Sequence, residues 1–386
     1  MNFIYGTKNK SKLEHMENIL GDLHITVEGL DAAVIDVEET GNDILENAKI
    51  KALHYFKQVK KPIFSCDSSL YFEGVETHDQ PGRLIRRVHG KTLTDEEMLV
   101  HYGGLAKKYG GSLIAKYHNA ICVVLDEEHI ITYDGEELSS VPFKIVEKPH
   151  ALRKDGFPLD ALSVEIHSNE YYDDLQDYSS DSEGLINGFQ SFFKRLLTPE
   201  VSIEFDGFGE VQLELYPYCA PDTTKNFIRL IQSGYYNDKS LCRIVPNRLI
   251  QSGDSKLDPE MWTDDTPGYI LNGEFNREGF TNPVSFKRGT IGMAMAAYHI
   301  TDYATAGSFF IMTKDESTLD GVVPAFGRVV SGLDIIDEIN AVKTHTNYGY
   351  NAPHQVIDIT RIDVDTKGVF YDLPKEYDFK LINSAD

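Results

Sequence analysis

The sequence predicts two folded domains: an α/β domain over residues 1–197, then a closed β-barrel with capping helices over 198–366, followed by a tail, 367–386. Three observations predict this. A chain of 386 residues exceeds what one ordinary core accommodates. Its first half alternates apolar strand runs with amphipathic helices. After the helix-breaking Thr198-Pro199-Glu200 the pattern turns to short strands interrupted by only two clear helices.

The elements follow in order. Phe3-Ile4-Tyr5 is a short apolar strand. Lys10 to Leu20 places Leu13, Met16, Ile19 and Leu20 at helical spacing. Ile44 to Tyr55 is a second helix, Pro62 to Cys66 and Ala120 to Leu125 are strands, and Gly188 to Leu197 closes the domain as a helix. Beyond the boundary near Leu197, strands are expected at Val201 to Phe205, Val211 to Leu215, Cys242 to Gln251, Thr290 to Met295 and Phe309 to Thr313. Thr223 to Ser233 and Leu333 to Asn340 are the two helices, and residues 367–386 form a packed or frayed tail. No internal repeat or low-complexity tract is present.

Composition narrows the function classes. With 41% hydrophobic and 25% charged residues the chain reads as folded and soluble. No apolar run approaches the roughly 20 residues that span a bilayer, and MNFIYGTKNK carries no apolar signal core. The four cysteines (Cys66, Cys122, Cys219, Cys242) fall in neither metal-ligand nor disulfide spacing, which points to a reducing cytoplasm. The net charge of −24 argues against nucleic acid as partner, because phosphates need clustered Lys and Arg. Part of that charge lies in Tyr171 to Glu183, an acidic stretch without helical or strand periodicity, read as a solvated loop.

The richest segment is LCRIVPNRLIQSGD, Leu241 to Asp254, followed by AGSFFIMT and LDGVVPAFGRVVSG. An apolar strand delivers Arg243 and Gln251, a second brings Phe309-Phe310, and Leu319-Asp320-Gly321 turns into a third. This is how an apolar pocket is lined beneath a fixed guanidinium. With Ala220-Pro221, Asn226-Phe227, Gly234-Tyr235-Tyr236, Gly289-Thr290 and Met293-Ala294, the run from Val201 to Val364 resembles the cyclophilin family of peptidyl-prolyl isomerases. The resemblance implies binding of proline-containing segments without a cofactor. It gives Arg243 to the proline nitrogen, Gln251 to the peptide backbone, and Met293, Phe310 and Leu319 to the proline ring. The plain alternative for Arg243 is a surface salt-bridge arginine. Several positions depart from the family pattern: Cys242 replaces a histidine, Arg248 an apolar pocket residue, Thr318 a Trp or Phe, Ser308 a glutamine and Met295 an asparagine. Losing an aromatic wall forfeits about 2 kcal/mol, or roughly thirtyfold. A second cation at Arg248 would favour acidic residues beside the proline, so a weaker, acid-biased isomerase is expected.

In the first half, Gly6-Thr7-Lys8-Asn9-Lys10-Ser11-Lys12 is a basic strand-to-helix loop, a reasonable phosphate cradle though without a P-loop's glycines. Glu38-Glu39-Thr40-Gly41 follows, then Leu45 to Ala52 with Glu46-Asn47-Ala48 and Lys51 on a helix. Phe64-Ser65-Cys66-Asp67-Ser68-Ser69-Leu70 ends a strand in an aspartate. Carboxylates at strand ends beside a basic loop suit Mg²⁺ held against a triphosphate. Together the segments resemble the inosine-triphosphate pyrophosphatase family over Met1 to Leu197. The resemblance implies that Asn9, Lys12 and Lys51 contact phosphates. It also implies that Glu39 and Asp67 carry Mg²⁺, with Asp67 near the attacking water, for a cut between the α and β phosphates of a nucleoside triphosphate. Members of that family are dimers, so the resemblance admits a homodimer through this domain, and the sequence leaves the oligomeric state open. Pro81-Gly82 and Arg87 fit a further family segment. Taken singly, Lys12 and Lys51 are also ordinary solvated helix lysines.

The base-recognition end looks eroded. Gly156-Phe157-Pro158-Leu159-Asp160 keeps only the glycine, phenylalanine and substrate-contacting Asp160 of the family segment, and Ile186-Asn187-Gly188 stands where a Ser-His-Arg precedes the last helix. Three outcomes stay open for this half: an altered substrate, weak residual pyrophosphatase, or a binding domain without turnover. The competing class for the whole chain is a non-catalytic protein that senses nucleotide and grips a proline segment, with no nucleic-acid or membrane partner. His299, His345 and His354 read as surface loop histidines and Trp262 as a packing anchor. Cys242 is an oxidisable thiol without flanking groups, Arg243 apart, that would lower its pKa.

Overall fold

The computed structural model describes residues 1–154, 156–175, 179–253, 267–276, 280–297, 300–347, 350–372, 374 and 376–377. The chain divides into two compact units, Met1–Lys194 and Arg195–Asp386. No helix among the described residues is long and apolar enough to cross a membrane. Trp262 and His299 lie outside the described residues.

The first unit runs β1 (Asn2–Tyr5), α1 (Lys10–Gly21), β2 (Thr26–Glu28), α2 (Ile44–Val59), β3 (Ile63–Phe72), β4 (Arg87–Val88), β5 (Lys91–Thr92), α3 (Asp95–Lys108), β6 (Ser112–Val124), β7 (Ile130–Tyr133), β8 (Phe143–Val146), β9 (Ser163–Val164) and α4 (Ser179–Leu197), the last containing the division between units. Its main sheet has the order β2-β1-β3-β6-β8-β9, with β7 on β6. β1 is parallel to β2 and β3, and the other pairs are antiparallel. Helix starts are set by side-chain caps. Asn9 accepts from Ser11 and Lys12, Asp43 from Glu46, and Thr94 and Glu97 form a capping box on α3. Phe3, Phe64 and Phe193 meet edge-to-face at 5.3–6.3 Å and join sheet to α4. Fully burying such a ring contributes up to about 3 kcal/mol.

Three expectations change here. β3 does not end near Asp67 but continues to Phe72, with Asp67 opposite Ala120 of β6. The described parts of the acidic stretch are not an aperiodic loop, since Tyr172–Asp174 is a 3-10 turn and α4 begins at Ser179, while 176–178 lie outside the described residues. Ile186-Asn187-Gly188 therefore lies inside the last helix and not before it, where Gly188 lets α4 approach the Glu137 carbonyl.

The second unit comprises β10 (Glu200–Phe205), β11 (Gly209–Leu215), α5 (Pro221–Gln232), β12 (Leu241–Val245), β13 (Leu249–Ser252), β14 (Ile270–Asn272), β15 (Thr290–Ala297), β16 (Ile300–Met312), β17 (Ala325–Ser331), α6 (Leu333–Asn340), β18 (Thr344–Asn347), β19 (Tyr350–Pro353), β20 (Ile359–Asp365) and β21 (Glu376–Tyr377). One antiparallel sheet curls in the order β12-β13-β16-β15-β17-β11-β10-β20, with β14 on β16 and β21 on β14. No continuous ladder joins the outer strands β12 and β20. A bridge between Ser240 and Asp358, with Leu241 N–H donating to the Ile357 carbonyl, brings their flanks together and makes the barrel.

Phe227 of α5 meets Tyr236, Phe309 and Phe326 at 5.1–5.3 Å in the core, to which α6 adds Ile336 and Ile339. The N-terminus of α5 is capped by Glu274, whose carboxylate accepts from Asp222 and Thr223 N–H at 2.8 and 2.7 Å. Burial pushes that carboxyl up to about 7. The single strand expected from Cys242 to Gln251 is a hairpin, because Asn247 takes a left-handed conformation (φ 55°) and turns the chain. The described part of the tail is packed, while 378–386 lie outside the described residues: Val369 is buried, Tyr371 donates to the Leu197 carbonyl, and β21 pairs with β14.

Candidate functional site

In the second unit the hairpin places Arg243 directly opposite Gln251, and β13 places Gln251 opposite Phe310. Arg243 Nη1 donates to Gln251 Oε1 at 3.5 Å. Its Nε is buried and has no hydrogen-bond partner among the described residues. Gln251 is held from behind, its Nε2 donating to Ser308 Oγ at 3.0 Å. Phe310 stacks on Phe286 at 5.6 Å and belongs to an apolar cluster with Leu249, Met312, Val323 and Ala325, edged by half-buried Met295 and Leu319. The site is therefore a polar triad of Arg243, Gln251 and Ser308 along one rim of an apolar patch.

Met293 does not join that patch. It is fully buried in the main barrel core and pairs in register with Phe309, while Phe310 points to the other face of the sheet. Leu249 is the residue that sequence reasoning missed. The alternation along β13 was its signal, since Leu249 and Gln251 share a face. Arg248 is not a free second cation. It pairs with Glu316 at 3.3 Å, and Thr318 donates to the same carboxylate at 2.6 Å. Those contacts, the Thr318 hydroxyl foremost, hold Glu316 below the usual carboxylate range. The two positions expected to supply apolar walls thus carry a polar clamp. The Cys242 thiol donates to the Gln251 carbonyl at 3.5 Å. His345 and His354 are not loop residues in isolation, since they flank the β18–β19 hairpin with rings 5.0 Å apart.

In the first unit, β1 pairs with β3 only as far as Tyr5 and Phe64 before the chain leaves for α1. The stretch of β3 beyond, with Cys66 and Asp67, is left uncovered on that side. α2 supplies the partners: Lys51 Nζ lies 2.9 Å from Asp67 Oδ1 and 3.1 Å from Glu39 Oε1. Asn47, one turn earlier on the same face, donates to Asp67 Oδ2 at 3.0 Å and accepts from Gly41 N–H at 2.8 Å. Burial pulls the Lys51 ammonium down, but the Asp67 and Glu39 charges outweigh it and leave it above its ordinary value. Lys12 keeps an exposed surface, yet desolvation and repulsion from Lys51 push it below its ordinary value. Desolvation likewise pushes the Cys66 thiol up to about 12, which leaves it protonated and unreactive.

Asn9 links this cluster to the segment expected to read a base. Besides capping α1, it donates through Nδ2 to the Gly156 carbonyl at 3.3 Å. Gly156 has φ +80° and a Cβ there would stand 2.6 Å from the Asn9 amide, so glycine is required. Asp160 follows on a 3-10 turn, Pro158–Leu162, where burial pushes its carboxyl up to about 6 against the pull of Lys154 at 3.6 Å. Arg87 is exposed on β4. Asn47 was missed as a site residue. Its signal was the i, i+4 spacing to Lys51 on one helix.

Residues 200–364 match the family model of cyclophilin type peptidyl-prolyl cis-trans isomerases. A probable peptidyl-prolyl cis-trans isomerase of Brucella suis is 32% identical over 167 residues, 41% of this chain and 80% of the relative. A peptidyl-prolyl cis-trans isomerase of Acinetobacter baylyi is 33% identical over 163 residues, 40% and 80%. The chain belongs to the cyclophilin family. It carries a second domain at its start, where residues 3–162 match the Ham1 family model. Among solved structures, a Cryptosporidium parvum cyclophilin type isomerase covers 44% of this chain and 98% of its own at 21% identity and a TM-score of 0.36. The Staphylococcus aureus Ham1 protein covers 50% and 99% at 21% identity and 0.39. The cyclophilin part is the peptidyl-prolyl isomerase, and the Ham1 part is the α/β unit described above.

Proposed function

We propose that Arg243 is the residue through which this cyclophilin isomerises proline bonds, with Gln251 holding the peptide backbone and Phe310, Leu249 and Leu319 receiving the ring. The barrier of about 18–20 kcal/mol comes from the partial double bond of the C–N link. A guanidinium donor to the proline nitrogen withdraws its lone pair from resonance, and Arg stays charged while it does so. The observation that supports this most is the register that sets Arg243 opposite Gln251 and Gln251 opposite Phe310, beside an apolar cluster. The pocket is weakened, since Arg248 and Thr318 stand where apolar walls would. Acid bias is smaller than the sequence alone implies, because Glu316 neutralises Arg248. Chymotrypsin-coupled isomerisation of a proline-peptide panel, comparing wild type with Arg243→Ala, tests this. Equal rates above buffer from both proteins would remove Arg243 from the chemistry, and no rate from either would leave the barrel a proline-peptide binder.

For the Ham1 domain we infer a Mg²⁺-dependent nucleoside-triphosphate pyrophosphatase site, with Asn9, Lys12 and Lys51 toward phosphates and Glu39 and Asp67 toward the metal. The carrying observation is that Glu39 and Asp67 already converge on one cation, the Lys51 ammonium, within 3.1 Å. Two carboxylates plus substrate phosphates suit Mg²⁺, which would neutralise phosphate charge. Asp160 would face the base, on a segment too altered to fix which one. Pyrophosphate release from a nucleotide panel, with and without Mg²⁺, tests it. Asp67→Asn should abolish release, whereas saturable nucleotide binding without release would favour the sensing role. A homodimer through this domain and a cytoplasmic location complete the proposal.

A further inference from the structure

We propose that Ser308 is a positioning residue for isomerisation, acting on Arg243 through the Gln251 amide; this rests on the isomerase role of Arg243 proposed above. Ser308 is 1% exposed and Gln251 3%, so neither side chain has water to fall back on. Ser308 Oγ donates to the Ser252 carbonyl at 3.4 Å. Its one proton being used there, the hydroxyl meets Gln251 only as an acceptor, and it takes the Nε2 donor at 3.0 Å. That turns Oε1 the other way, toward Arg243 Nη1. The flipped amide would set its NH₂ against a guanidinium N–H and its oxygen against a lone pair, leaving two buried groups unsatisfied.

Ser308 is itself fixed by Thr305, whose Oγ1 accepts from Ser308 N–H at 3.2 Å and donates to the Ser308 carbonyl at 3.1 Å. One hydroxyl therefore selects the amide orientation, and the amide anchors one arm of the guanidinium. The amide takes only one of the five guanidinium N–H donors and so sets the plane in which the others lie.

The experiment is a thermodynamic cycle on the full chain. Ser308→Ala should lower kcat about fivefold, the worth of one hydrogen bond, with KM nearly unchanged. In the Arg243→Ala background the same change should cost nothing further, because its route is gone. A wild-type kcat for Ser308→Ala, or the same fold loss in both backgrounds, overturns the proposal. Should alanine impair folding, Ser308→Cys keeps the volume with a much weaker acceptor and is held to the same two criteria. If wild type itself shows no rate above buffer, the isomerase role has failed separately. The relay is then read from the Arg243 Nε–H resonance, identified by its loss in Arg243→Ala. A shift on Ser308→Ala supports it, and an unmoved resonance overturns it.

Discussion

The two sites hold their principal cations in opposite ways. Lys51 rests between two carboxylates, with side-chain exposure of only 12% and its charge met on both sides. Arg243 faces a neutral amide at 3.5 Å that takes only one of its five N–H donors. The difference matches the chemistry proposed for each. A site proposed to take in a metal and a polyanion can store most of its charge internally until both arrive, here one ammonium against two carboxylates. A site that lends a single hydrogen bond to a neutral peptide can leave its charge uncompensated at a half-exposed rim, where water carries part of the cost.

The largest effect that would sharpen this contrast is the loss of Arg243. Arg243→Ala should cut kcat/KM on the order of a hundredfold, as removal of a preorganised donor does, with little change in melting temperature. Lys51→Met is the opposite case. It should destabilise the Ham1 domain by about 3 kcal/mol, because two carboxylates are left facing each other, and added Mg²⁺ should restore part of the loss in a thermal melt. The same variant has a pH signature. The ammonium's folded pKa lies above its ordinary 10.5, so its contribution is complete below that value and is lost as pH rises through the folded pKa. Wild type should therefore lose stability in strong alkali where Lys51→Met does not.

Smaller effects test the finer claims. Arg248→Phe replaces half of the polar clamp with an apolar wall and should raise kcat/KM about tenfold on neutral peptides. An unchanged rate would show that the clamp leaves the pocket open. The smallest expected effect is at Asp160. Its folded carboxyl is raised from 3.8 to about 6, so wild type should lose a little stability as pH climbs through that window. Asp160→Asn should show a flat melting curve there.

Much of this was legible in the residues. The helix read at Leu333 to Asn340 is α6, with the same bounds, and its buried Ile336 and Ile339 lie on one face. Arg243, Gln251 and Phe310 were found because they lie on strands whose register the hairpin enforces. β3 was cut short because Asp67-Ser68-Ser69 reads as a polar loop. Pairing with β6 keeps it a strand, and its polar side is the site. Met293 was misplaced by ignoring parity: a residue opposite Phe309 cannot share a face with Phe310. α3 was missed under its charges, although Thr94 and Glu97 spell a capping box. The Arg248–Glu316 pair spans 68 residues of sequence, and nothing local announces it.

The bridge from Ser240 to Asp358 has a consequence for any client chain. A protein that handles unfolded, proline-bearing segments keeps company with sticky backbone, and an open sheet border would invite such a segment to add itself as an extra strand. Here the two border strands hydrogen-bond across their flanks. Along that seam a visiting peptide is offered side chains on a face rather than a ladder to extend, which removes one place where cross-β growth could be seeded.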